Sequence, residues 1–238
     1  MDNRNFTEVI REREFESSLA FPALMRKVYL WMSLALVLTG MTAYGVASSP
    51  GLLQAIIGNR ILFFGLIIGE LALVMIVSGM INRLSLTTAT LLFVLYSVIN
   101  GATLSVIFLA YTMESITQVF FITAGTFAGM SAVGYLTKRD LSTVGRILNM
   151  TLIGLIIATI VNVFWQNSGF MVILNYLGVL VFVGLTAYDT QKIKDMLMMA
   201  ESADEIGQKM ALMGALILYL DFINLFLYLL RIFGKSRD

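Results

Sequence analysis

Three carboxylates stand where carboxylates are expensive. Asp221 lies in the middle of MALMGALILYLDFINLFLYLLRIF (residues 210–233), Glu70 lies inside a second apolar stretch, and Asp189 closes a third. An acid in a membrane-length stretch lines a cavity, meets a partner, or carries a proton or a metal ion. Two bases accompany them: Arg231 near the end of the Asp221 run, and Arg83 just beyond the stretch that holds Glu70. Asn224 follows Asp221 on nearly the same helical face, and Tyr188 directly precedes Asp189. Two acids facing one cavity repel when both ionise, and so titrate as a coupled unit. Such a pair would also suit Ca²⁺, a hard cation that takes several carboxylate and carbonyl oxygens. An arginine on one of the acids would compete with proton or ion. That makes a latch: arginine held, path closed; acid protonated or ion-bound, latch released.

The elements that must position these groups are membrane helices. Of the 238 residues, 58% are hydrophobic and 13% charged, against about 25% charged in ordinary globular domains. No Asp, Glu, Lys or Arg occurs over 28–59, 84–113, 115–137 or 147–188. Since about 20 helical residues cross a bilayer, seven spans are predicted: 28–48, 61–82, 86–111, 117–136, 147–166, 170–188 and 211–233. Helix-length apolar runs indicate helices rather than a barrel of alternating strands. The expected fold is therefore an all-α integral membrane protein. Residues 1–25 form a polar N-terminal arm of mixed charge, and 26–238 the transmembrane domain. The first apolar run is longer than a signal-peptide core, which argues against cleavage. Gln166, Asn167, Ser168 and Gly169 predict a tight hairpin between spans five and six. Pro22 and Pro50 lie outside the predicted spans. Gly65-x-x-x-Gly69 and Gly125-x-x-x-Gly129 predict close helix approach, and a polar link is expected from Lys192 to Gln208.

With the N-terminus cytoplasmic, all of the 16 Lys and Arg fall inside except Arg60, Arg231, Lys235 and Arg237, as the positive-inside rule prefers. The three bases after span seven leave room for a six-span arrangement with a re-entrant last helix. In the seven-span topology Asp189 and Arg83 share the inner membrane level, while Asp221 and Glu70 lie near mid-depth, roughly 15 Å of helical rise from the interface. Plainer roles stand beside these. Asp189 could be a helix-end acid facing water, Arg83 a positive-inside anchor and Arg231 an interfacial anchor. Glu70 with Arg231 could be a buried ion pair fastening span two to span seven.

Absence of Cys excludes a disulfide framework and thiolate metal sites. With no His, a response near neutral pH falls to carboxylates. A net charge of +1, its bases at loops, gives no footing for nucleic acid. No nucleotide loop, histidine cluster or nucleophile motif is found, so neither enzymatic catalysis nor a bound cofactor is expected.

Two tandem Asp-bearing segments are distinctive: Gly184-Leu-Thr-Ala-Tyr-Asp189-Thr-Gln-Lys, and Leu218-Tyr-Leu-Asp221-Phe-Ile-Asn-Leu-Phe followed by Leu229-Leu-Arg231-Ile-Phe-Gly234. With Thr137-Lys-Arg-Asp140-Leu-Ser, they resemble the Bax inhibitor family, the transmembrane Bax-inhibitor-motif proteins and their bacterial YccA/YetJ-like relatives, from about residue 22 onward. The resemblance implies seven helices, the last central and surrounded by the other six. It implies a paired-aspartate pH sensor at Asp189 and Asp221, latched by an arginine on span two, for which Arg83 is the candidate. It implies a Glu70–Arg231 pair, and a pH-dependent leak of calcium ions across the lipid bilayer.

The leading expectation is thus a pH-sensitive calcium leak channel of a bacterial cytoplasmic (inner) membrane, Ca²⁺ being the permeant ion. The short arm, modest tail and lack of a retention signal favour that membrane over an endoplasmic reticulum. The alternative is a membrane regulator that binds a membrane-anchored AAA protease or another protein partner without transport. A proton-coupled solute transporter would need more polar groups and an internal repeat, neither of which is found.

Overall fold

Apolar residues without charge make helices here because no other backbone arrangement satisfies its own hydrogen bonds in hydrocarbon, short of a closed barrel. The computed structural model describes residues 3–200 and 202–237, with side chains from Ala20 onward. Its helices are α1 (Asn3–Ala47), α2 (Pro50–Gly58), α3 (Arg60–Met80), α4 (Leu86–Leu104), α5 (Ile107–Ala110), α6 (Met113–Leu136), α7 (Ser142–Trp165), α8 (Ser168–Met198) and α9 (Glu205–Phe233). Seven segments are long and apolar enough to cross a bilayer, α4 and α5 together making one of them. Large apolar side chains such as Ile61, Phe121, Leu136, Met150 and Phe164 are exposed. Surface of that kind belongs against lipid, not water.

Helix starts follow capping chemistry. Asn59 Oδ1 accepts from the N–H groups of Ile61 and Leu62 at 3.0 and 3.1 Å, opening α3. Ser85 Oγ accepts from Thr88 N at 3.1 Å to open α4, and Thr112 Oγ1 accepts from Ser115 N at 3.3 Å to open α6. Each satisfies a donor that the first helical turn leaves orphaned. Between α7 and α8, Gln166 takes a left-handed conformation (φ 49°), so the predicted hairpin is a two-residue turn.

Several boundaries differ from expectation. Pro22 lies inside α1, where its ring withdraws one backbone bond; the apolar segment there runs Ala20–Ala47. The polar arm has its backbone from Asn3 in the same helix, while Met1, Asp2 and the side chains before Ala20 lie outside the described residues. The third span is broken between α4 and α5, where Ser105 Oγ turns back to the Ala102 carbonyl at 2.6 Å. Helix also invades the expected polar link: α8 continues to Met198 and α9 begins at Glu205. Charged Lys, Asp and Glu are adequate helix formers, and leaving hydrocarbon does not by itself end a helix.

The chain divides into two compact units. The first holds residues up to Ser105 with Ile193–Leu216. There α1 packs along α4, and α4 against α3. Gly101 lets α4 approach the Thr39 backbone, and Thr39 Oγ1 donates to the Ser97 carbonyl at 2.9 Å. The second unit holds Val106–Lys192 with Ile217–Asp238. There Phe120 and Phe127 of α6 pack against Phe222 of α9, each pair of rings 5.5 Å apart. The tail returns to the start of α6: Lys235 N donates to Ser115 Oγ at 2.8 Å and Arg237 N to the Ala110 carbonyl at 3.0 Å. Of the seven spans α9 is the most buried, 67% of its most apolar window against 6% for α3. The glycines of the two predicted Gly-x-x-x-Gly pairs meet no neighbour; close approach uses others.

Two outcomes follow from this packing. Gly101→Val places a side chain against Thr39 and should lower the thermal midpoint in detergent, by the equivalent of about 1–3 kcal/mol of overpacking. Gly65→Val, which meets open space, should leave that midpoint close to wild type. At the start of α7 the Asp140 carboxyl is held below its ordinary range, first by the Ser142 hydroxyl, then by the Ser142 N–H, with Arg146 adding a little. Its contribution is therefore present above the ordinary carboxylate value and lost as pH falls through the depressed one. Asp140→Ala should lower thermal stability at neutral pH, and the difference from wild type should vanish in strong acid.

Candidate functional site

The end of α8 within the second unit is docked residue by residue. Ala187 lies against Gly134 of α6, and the ring of Tyr188 covers Gly145 of α7; a Cβ at either glycine would collide. Thr190 Oγ1 and Ser131 Oγ of α6 lie 3.0 Å apart as a buried hydrogen bond. Gln191 Oε1 accepts from Leu141 N at 2.8 Å, and its Nε2 donates to the Arg139 carbonyl at 2.9 Å, so one amide clamps the α6–α7 loop. Asp189 is left to face α9.

There it meets Asp221, the two carboxyl groups lying close enough to act on each other. A carboxylate has no donor, so a hydrogen bond between the two needs a proton on one of them. Asp221 is 5% exposed, and its Oδ2 has no hydrogen-bond partner in the structure. Asp189 is half-buried. Lys192, one turn on, acts on it electrostatically; its ammonium lies over the Tyr188 ring at 5.9 Å. Asn224, one turn along from Asp221, donates its Nδ2 back to the Leu220 carbonyl at 2.8 Å.

The other expected site residues stand as follows. In the first unit Glu70 of α3 accepts from Asn100 Nδ2 at 3.2 Å and from Thr103 Oγ1, both on α4, and Tyr96 feels its charge. Arg83 is exposed in the turn after α3, its backbone N–H bound to the Met80 carbonyl at 2.8 Å. In the second unit the Arg231 guanidinium is exposed and lies over the Tyr228 ring, 5.3 Å from its centre. Sequence reasoning passed over Asn100 and Thr103, although Tyr96, Asn100 and Thr103 recur at helical spacing and form a polar stripe in an apolar span. It also passed over Ser131, Thr190 and Gln191, whose roles depend on partners far away in the chain.

Chemically, the aspartate pair can hold a proton, release it, or offer oxygens to a cation. Among the described residues no group of three or more His, Cys, Asp or Glu gathers in one place. Ca²⁺ takes 6–8 oxygens, more than two carboxyl groups supply by themselves.

Comparison with known proteins agrees with the motifs. The family model described as "Inhibitor of apoptosis-promoting Bax1" matches residues 22–238. The chain is 50% identical over 214 residues to the inner membrane protein YbhL of Escherichia coli (strain K12), covering 90% of this chain and 92% of that one. It is 41% identical over 237 residues to the protein RP147 of Rickettsia prowazekii (strain Madrid E), covering 99% and 98%. It is 33% identical over 223 residues to the membrane protein M6_Spy0327 of Streptococcus pyogenes serotype M6, covering 93% and 96%. Seven bilayer-length helices, two tandem aspartate motifs and a match over nearly the whole length lead to one conclusion: the chain is a multi-pass membrane protein that belongs to the Bax inhibitor family.

Proposed function

We propose that this protein is a pH-responsive, calcium-permeable leak channel of the bacterial cytoplasmic membrane, with its N-terminus in the cytoplasm. The observation that carries the reading is the meeting of Asp189 with a buried Asp221, one of whose oxygens is left unpartnered. A coupled pair of this kind changes charge by single protons, and its charge decides whether a cation or an arginine is attracted. The membrane location is supported by the inner-membrane relative in Escherichia coli, and the orientation by the distribution of Lys and Arg.

The sign follows from the latch. Deprotonated, the pair carries charge enough to hold an arginine; protonated, it lets go. The family resemblance gives Arg83 that role, Glu70 and Arg231 a supporting ion pair, and Asp189 and Asp221 the contact with the passing Ca²⁺. In calcium-loaded proteoliposomes, flux should rise as pH is lowered across roughly pH 5 to 8, the range open to a perturbed carboxylate. Asp221→Asn, neutral at every pH, should flatten that dependence; a profile like the wild type's would contradict the sensor. Arg83→Ala should raise flux at the alkaline end and leave the acid end unchanged. Equal flux at both ends in wild type and Arg83→Ala would remove the latch.

A further inference from the structure

The contact between α8 and α9 in the second unit is polar at more than one level. Along α8, Asn175, Gly178, Phe182 and Asp189 are spaced by three, four and seven residues, so they share one face. Along α9, Asp221 and Tyr228 are seven apart, again on one face. These stripes meet. Asp189 meets Asp221, Phe182 stacks on Tyr228 at 5.8 Å and 28°, and Gly178 makes room for the Tyr228 ring. Asn175 lies one turn beyond, about 21 Å of helical rise from Asp189. It is 7% exposed, and its Oδ1 has no hydrogen-bond partner.

Among the described residues, Asn175 Oδ1 and Asp221 Oδ2 are the buried side-chain oxygens without a partner. Both belong to this seam, on either side of the stacked rings. A buried carbonyl oxygen left unpaired is costly. Retaining two in one seam indicates that something outside the protein's own groups answers them. The chemistry that fits a neutral amide oxygen and a carboxyl oxygen together is a hard cation with its hydration water.

We infer that the α8–α9 seam is the cation route, with Asn175 Oδ1 as a second oxygen station separated from the aspartate pair by a Phe182–Tyr228 ring constriction. This rests on the channel reading above and deepens it. Conduction needs stations that an ion can leave. A neutral amide oxygen meets that need better than another carboxylate would, because it holds a cation less tightly.

The chain has no Cys, so a single introduced thiol reports without background. Asn175→Cys and Ile173→Cys would be reconstituted in liposomes and treated with a charged methanethiosulfonate reagent, with and without CaCl₂. Ile173 is exposed on the same helix close to the same depth. Labelling of Asn175→Cys but not Ile173→Cys, slowed by Ca²⁺, is the expected result. Labelling no faster than Ile173→Cys would overturn the route, and labelling indifferent to Ca²⁺ would overturn the cation station. In flux, Asn175→Leu should lose roughly tenfold, the worth of about 1.4 kcal/mol, while keeping the wild-type pH profile. Asn175→Leu flux equal to wild type would contradict the station. Wild-type liposomes without calcium flux would strike the channel reading itself, and the thiol labelling would still decide whether the seam admits ions.

Discussion

Two carboxyl groups placed face to face, one of them buried, repel when both are charged, and a proton shared between them relieves that repulsion. That constraint organises the end of α8. Around Asp189 the neighbouring positions are committed to packing or to hydrogen bonds: Ala187 on Gly134, Tyr188 on Gly145, Thr190 to Ser131, and Gln191 to the α6–α7 loop. Together they leave the helix little freedom to turn, so a change in the charge of the pair has to be taken up at Asp221 and α9. Glycine at 134 and 145 is required for the same reason, because any Cβ there would lift α8 from its seat.

The three acids named from sequence divide by environment. Glu70 is answered by an amide and a hydroxyl on the neighbouring helix, ordinary neutral partners that satisfy a carboxylate within one unit. Asp221 is answered by another acid and keeps a free oxygen. Satisfied polar groups in an apolar setting fasten helices, whereas a buried group left half-satisfied is costly. On that ground the aspartate pair, rather than Glu70, carries the functional reading.

Much of the architecture was legible because it follows from one-dimensional rules. Apolar length located all seven spans, and the Gln166–Gly169 cluster located the α7–α8 hairpin. Helix ends were less legible wherever polar residues continued a helix past the hydrocarbon, as at Lys192–Met198 and Glu205–Met210. Pro22 misled because α1 runs well past it on both sides and carries the one missing backbone bond. Pairing was the hardest to see. Asp189 and Asp221 could be named from their apolar surroundings, and their meeting came only from a family resemblance. The Glu70 partners, the Ser131–Thr190 bond and Asn175 depend on helix rotation, which apolarity on every face leaves undetermined. The Gly-x-x-x-Gly pairs show the converse, a packing motif that meets no neighbour among the described residues.

The shared proton is open to direct observation by infrared spectroscopy of the carboxyl C=O band in the reconstituted protein, titrated in H₂O and ²H₂O. A proton held between Asp189 and Asp221 predicts a protonated-carboxyl band that titrates in two coupled steps and that loses this coupling in Asp189→Asn and in Asp221→Asn alike. Two acids titrating independently, with either substitution leaving the other's band unmoved, would contradict it.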